Sequence, residues 1–293
     1  MVGVGENLLA AAMVTLPTMA KKNLPLGPKE GPMLIFGGIY SNLPALQALQ
    51  AIAEEKGIAP ENIINTGDTV GYCAQPEESI QLVRKWGIHN ILGNVEIQLR
   101  DEVDDCGCNF DDGSRCDMFS RQWFPYAQEQ VSTDSLAWLH TLTDHLTFHY
   151  AGRKVAVVHG SARETAEFVF ESTDWAVKEA SFEKTKSDVI IGGHCGLPFH
   201  DARGTHLWLN PGVIGMPAND GTPRVWYVLL DDSEGDFAFS HHSFAYDAST
   251  ARAQMLEKKL PPTYAETLVT GIWDNCEILP EAETSLQGVE IKL

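Results

Sequence analysis

The chain has 293 residues, 44% hydrophobic and 21% charged, enough for one large or two modest globular domains, which excludes disorder across its length. Forty acidic residues against 21 basic ones leave a formal charge of −19. Phosphate backbones and anionic membranes are repelled by such a surface, so neither a nucleic-acid polymer nor a membrane is the expected partner. A small anionic substrate stays open if a bound cation reverses the field locally.

Residues 1–30 read as an arm laid over the body. Its apolar run, 8–16, is far short of a bilayer span. Lys21 and Lys22 follow that run instead of preceding it, unlike a signal peptide, so a cytoplasmic protein is expected. Residues 31–245 form the regular core, and 246–293 a C-terminal helix and tail. Met33-Leu34-Ile35-Phe36 is a buried strand ending in Gly37-Gly38. Asn42 caps a helix whose apolar positions are Leu43, Leu46, Leu49 and Ile52. Ile63-Ile64 then runs as a strand into Thr66-Gly67-Asp68. A helix over 76–86 and a strand over 89–92, ending in Gly93-Asn94, follow. An insertion at 101–117, rich in Asp, Gly and Cys, has no periodicity.

Helical patterns at 118–130 and 133–142 lead to strands at 145–150, 154–158 and 188–191, then near 206–209, 225–231 and 236–242. A helix covers 247–258, and the chain beyond Pro261 is less regular. Strand, glycine turn and helix recur three times in the first third, the βαβ rhythm of an α/β fold with chemistry at the carboxyl ends of its strands.

Four polar residues stand just past predicted strands: Asp68, Asn94, His159 and His194. Singly, each reads as a turn former, a helix cap or a hydrogen-bonded structural residue. Together, at one end of successive strands, neutral imidazoles and oxygen donors make a site for Zn, Mn or Fe.

The segments from Phe36 to Leu46, Gly67-Asp68-Thr69-Val70-Gly71-Tyr72, Gly93-Asn94-Val95-Glu96, His159-Gly160-Ser161, Gly193-His194-Cys195-Gly196 and Asn210 to Gly215 occur in that order. Together they resemble the calcineurin-like metallophosphoesterase superfamily, in its small bacterial phosphodiesterase branch, from about residue 33 to 231. The resemblance implies a sandwich of two mixed β-sheets flanked by helices, and hydrolysis of a small phosphoester or nucleotide-like substrate. It also implies two divalent ions (Mn, Fe, Zn or Ni) bridged by the aspartate that maps to Asp68. One ion is completed by an Asn and two His, matched by Asn94, His159 and His194. The other needs an Asp at Gly38, a His at Tyr40 and a His at Gly196, and the family's general-acid His falls on Val95. One half-site is intact and the other erased. The Tyr40 phenol either projects into the erased half-site as a catalytic group or fills the volume left there.

Cys106, Cys108 and Cys116 cluster in the insertion, and Cys73 and Cys195 follow the Asp68 and His194 motifs. They form a second candidate centre, for Zn or an Fe–S cluster, against the alternatives of reduced thiols or a disulfide. Arg163 near His159 is a weaker candidate, either a phosphate contact or a solvated surface arginine, and the acidic residues of the insertion read as a solvated loop. Three functions stay in play: a hydrolase on one metal half-site, a non-catalytic relative that binds a metal or ligand, and different chemistry at a Cys-bound metal.

Overall fold

The computed structural model describes residues 22–293. Its elements begin with β1 (Asn23–Lys29), β2 (Met33–Phe36), α1 (Leu43–Glu55), β3 (Ile63–Asn65), α2 (Pro76–Trp86), β4 (His89–Asn90), α3 (Asn94–Arg100), α4 (Arg115–Gln130) and α5 (Thr133–Leu139). They continue with β5 (His145–Tyr150), β6 (Arg153–Val157), α6 (Trp175–Thr185), β7 (Val189–Ile191), β8 (Pro198–Arg203), β9 (His206–Pro211), β10 (Val225–Asp231) and β11 (Ala238–Phe244). Three helices close the chain: α7 (Ala248–Glu257), α8 (Pro262–Thr270) and α9 (Glu281–Thr284).

One sheet has the order β1-β5-β6-β7-β9-β8 and the other β11-β10-β2-β3-β4. Both are mixed. The strands β2, β3 and β4 run parallel, as do β6, β7 and β9, while β10 and β8 pair antiparallel to their neighbours.

Strand periodicity sets the layers. In β2, Met33 and Ile35 face the other sheet and meet Val155, Val157, Val189 and Ile191, while Leu34 and Phe36 face α1 and α2. All four residues of β2 are buried, and each such side chain contributes about 1.5–3 kcal/mol by leaving water. On the outer face of the six-stranded sheet, Ala156, Ile190 and Trp208 pack against Trp175 and Phe182 of α6. The result is helix, sheet, sheet, helix, the α/β sandwich expected. The parallel strands of both sheets end at one rim, and the turns just past them carry every candidate ligand.

Several elements differ from the sequence reading. The arm is in part a strand: β1 pairs parallel with β5, from Asn23 opposite His145 to Lys29 opposite Tyr150. Pro25, Gly27 and Pro28 hide its periodicity, and an edge strand tolerates them because its outer N–H groups need no partner. Residues 1–21, including the apolar run 8–16 and Lys21, lie outside the described residues. Helix α4 starts at Arg115, where the Ser114 side chain caps the Asp117 N–H, so the irregular insertion is 101–114. The last segment holds α8, opened by Pro262 and closed by Gly271 in the left-handed conformation. Its Tyr264 and Leu268 join Val70, Val95 and Trp123 in one apolar cluster, so this segment belongs to the body around the rim. No helix among the described residues is long and apolar enough to cross a membrane.

Candidate metal centre

Asp68, His159 and His194, from three different loops, and Asn94, the first residue of α3, meet at one point. The His159 Nδ1 lies 2.8 Å from the Thr66 carbonyl, which can only accept, so Nδ1 carries the proton and neutral Nε2 presents a lone pair. Around that Nε2 stand Asn94 Oδ1 at 3.1 Å, His194 Nδ1 at 2.9 Å and Asp68 Oδ2 at 3.3 Å. The Asn94 amide is oriented by its other end, where Nδ2 donates to the Cys106 carbonyl at 2.9 Å. All four residues are buried. A single proton can serve only one of these contacts, whereas a cation satisfies every lone pair at once. The donor set of two imidazoles, a carboxylate and an amide oxygen therefore fits a divalent transition metal.

The loops are shaped to allow this approach. Asp68 has φ 56, a left-handed conformation uncommon for a residue with a side chain. Gly93 sits against it: a Cβ there would lie 2.0 Å from Asp68 Oδ1.

Glu96, overlooked as a site residue in the sequence, ties the loops together. Its fully buried carboxylate accepts from the Asp68 N–H at 2.8 Å, the Gly93 N–H at 2.9 Å and the Val70 N–H at 3.0 Å. The signal available was its position three residues into α3, the second half of a capping box, masked because the cap itself is glycine. Burial, and then the neighbouring Asp68, push the Glu96 carboxyl up to about 7. Burial opposes charge on His159, but the Asp68 carboxylate and the Thr66 carbonyl outweigh it and hold the imidazole above its ordinary value. Burial and the adjacent His159 bring His194 down to about 3. One ring is thus an open lone-pair donor at neutral pH, while at the other a metal competes with a proton.

A model of the calcineurin-like phosphoesterase superfamily domain matches residues 41–235. The chain belongs to that superfamily. An uncharacterized protein of Methanocaldococcus jannaschii is 24% identical over 252 residues, spanning 81% of this chain and 97% of its own. A metallophosphoesterase from Sphaerobacter thermophilus shares the fold at a TM-score of 0.64 and 22% identity, covering 83% of this chain and 100% of that one. A hypothetical protein of Pyrococcus horikoshii does so at 0.66 and 18%, covering 83% and 99%.

In this member of the superfamily the space beside Gly38 and Gly71 is filled by the Tyr40 ring. A Cβ at Gly38 would come within 2.4 Å of Tyr40 Cε1, and one at Gly71 within 3.0 Å of Cδ1. The Tyr40 ring also packs edge-on against Tyr72, at 4.8 Å between centroids. Burial, then Tyr72 and Asp68, raise the Tyr40 phenol well above its ordinary value, so it stays protonated. Gly38→Asp alone is expected to expel the ring and cost about 1–3 kcal/mol, as overpacking does. Adding Tyr40→His should recover much of that loss, a coupling of roughly 0.5–3 kcal/mol measurable by a denaturation cycle. Additive losses would mean that the ring does not fill the Asp position. At Gly196 a His would be strained as well, because φ is +78 there.

The five cysteines do not assemble a second centre. Cys106 and Cys108 are joined by a disulfide, Cys116 lies by Asn275, Cys195 by Asn210, and Cys73 by the Gly215 carbonyl. Among the described residues, Asp68, His159 and His194 are the one group of three Asp, Glu, His or Cys ligand atoms within 4.8 Å of one another. The insertion is held without a metal, by the disulfide, by the Asn94 contact and by an Asp105 turn onto the Gly107 N–H at 2.7 Å. Arg163 is exposed and borders a separate shallow groove with Lys184 and Lys186. A cavity of about 70 Å³ opens from Asp68 and His194, walled by Tyr40, Tyr72, Phe168 and Trp273. An ion pair between Arg115 and Asp274 joins α4 to the C-terminal segment beside it.

Proposed function

We propose that the chain is a metal-dependent hydrolase of small phosphoesters that works with a single ion, held by Asp68, Asn94, His159 and His194. The observation that carries this reading is the convergence of Asp68 Oδ2, Asn94 Oδ1 and His194 Nδ1 on His159 Nε2, each within 3.3 Å. When bound, such an ion supplies Lewis-acid polarisation of a phosphoryl oxygen. Asp68 and Asn94 orient the donor set, locked by Glu96 and by the Cys106 carbonyl. Phe168 stacks on the His194 ring at 4.3 Å and keeps water from that side. The neutral Tyr40 phenol borders the cavity and serves as a hydrogen-bond donor to a phosphoryl oxygen, since it holds its proton.

Among the described residues neither Lys nor Arg lines the cavity, so the ion is the local counter-charge and a substrate of low charge with an apolar group is favoured. Val95 stands where the family carries its acid, buried and without a proton to give. Loss of a positioned acid costs roughly 10²–10⁴-fold, so esters with good leaving groups should be the better substrates. The same losses at Gly38, Tyr40 and Val95 favour the second reading, a non-catalytic metal-binding relative.

Elemental analysis after loading with manganese or zinc separates the two when paired with hydrolysis of bis-p-nitrophenyl phosphate. About one ion per chain is expected from the single donor set, retained in mildly alkaline buffer. In mildly acidic buffer it should be lost as His159 takes up its proton. Hydrolysis should follow occupancy. A fully loaded, folded protein that cleaves neither diester nor monoester would leave the binding role, and one that takes up no ion would overturn both readings.

A further inference from the structure

The insertion between α3 and α4 brings a sulfur to the edge of the centre. The two ends of the Asn94 amide measure how close. Its Oδ1 faces His159 Nε2, while its Nδ2 lies 3.3 Å from Cys108 Sγ. Cys108 is therefore one carboxamide away from the converging ligand atoms. It is buried, and it borders the same cavity as Asp68 and His194.

On that side the centre has lost its other donors: Gly38 and Gly196 carry none, and Tyr40 is packed as a ring against Gly38 and Gly71. Two imidazole nitrogens and two oxygens leave a divalent ion room for a further ligand, and thiolate suits zinc and cobalt well. The chain can deliver it, because Cys108 sits in an irregular loop after Gly107, whose φ of +68 makes a tight turn. In the disulfide with Cys106, however, the Cys108 sulfur has no thiolate to offer.

We propose that Cys108, released from Cys106 by a dithiol reductant, is an additional thiolate ligand of the ion held by Asp68, Asn94, His159 and His194. This rests on the single-ion reading above. The dithiol gives up two electrons and two protons and becomes a disulfide, while Cys106 and Cys108 become thiols. Cys108 then loses its proton to solvent as its bond to the metal forms. Reduction would add the Cys108 ligand to the centre, and oxidation would withdraw it. The Cys106–Cys108 pair is thus a redox gate on the hydrolase.

Cobalt(II) is the probe. Bound cobalt is counted after dialysis, and a thiolate-to-cobalt charge-transfer band is sought in the near ultraviolet. The protein is taken either oxidised, or reduced with dithiothreitol and desalted without air. The parent should bind cobalt in both states and show the band only when reduced. Cys106→Ser cannot form the disulfide, so it should show the band with no reductant at all. Cys108→Ser should bind cobalt and show no band in either state, while Cys116→Ser and Cys195→Ser should behave as the parent. A band that survives in Cys108→Ser would overturn the proposal. So would cobalt bound to the reduced parent and to Cys106→Ser with no band. Failure of both oxidation states of the folded parent to bind cobalt would instead overturn the single-ion centre, and the proposal with it.

Discussion

Loss of the ion is the expected result of His159→Ala, with hydrolysis lost alongside it. The ring is the hub of the centre: its Nε2 faces Asp68, Asn94 and His194, and its Nδ1 is fixed by the Thr66 carbonyl. Removing an outer-shell partner of a metal ligand already weakens affinity roughly 10–100-fold, and removing a ligand should weaken it by more. The fold should survive. Alanine leaves the Thr66 carbonyl without its donor, a cost of about 1–3 kcal/mol, small beside the apolar clusters of the two sheets. Thermal unfolding with and without metal separates the two effects. An ion at a hundred times its dissociation constant adds about 2.7 kcal/mol to the stability of a protein that binds it only when folded. The parent should gain that increment in manganese or zinc and the variant should not. A His159→Ala protein that is stabilised by metal as much as the parent would remove this ring from the centre.

The candidate ligands could be picked out in the sequence because each one stands just past a short apolar run and beside a glycine. Asp68 after Ile63-Ile64 and His194 after the 188–191 run are cases where a continuous apolar run, a glycine and a candidate ligand follow one another closely. What remained hidden depends on long-range contact. The first strand, β1, reads as a loop because prolines and glycine break its alternation, and only pairing with β5 makes it a strand. Helix α6 escapes notice because its buried face includes Lys178, a charge whose place is explained by Asp201 at 2.6 Å on a distant strand. The cysteines misled in the opposite direction. Their spacing suggested a shared metal, but three of the five are drawn to separate partners by the fold, and the other two bond each other. The Tyr40 ring could be read as filler or as a catalytic group, and the glycines pressed against it became meaningful once their spacing to the ring was known.

Glu96 is the residue whose role depends most on that hidden geometry, and its replacement carries the largest expected effect on stability. Three backbone N–H groups, from Asp68, Val70 and Gly93, end on its carboxylate inside the protein. In Glu96→Ala all three lose their acceptor. At about 1–3 kcal/mol for each stranded group, partly relieved by local rearrangement, the loss should be on the order of 4 kcal/mol. For a domain of this size that corresponds to a fall in Tm of roughly 10 °C. Glu96→Gln keeps the shape but turns one oxygen into a donor facing donors, so it should lie between parent and alanine variant. Metal affinity should fall as well, because the Asp68 backbone is held by this carboxylate, and a weakening of roughly 10–100-fold is the scale for such a support. The two readouts discriminate between roles. A stability loss with unchanged metal affinity would make Glu96 a fold residue only, whereas loss of both identifies it as the strut that fixes Asp68 against Gly93. If Glu96→Gln proved as stable and as tightly metal-binding as the parent, the three N–H groups would have found other acceptors and this account of the rim would fail.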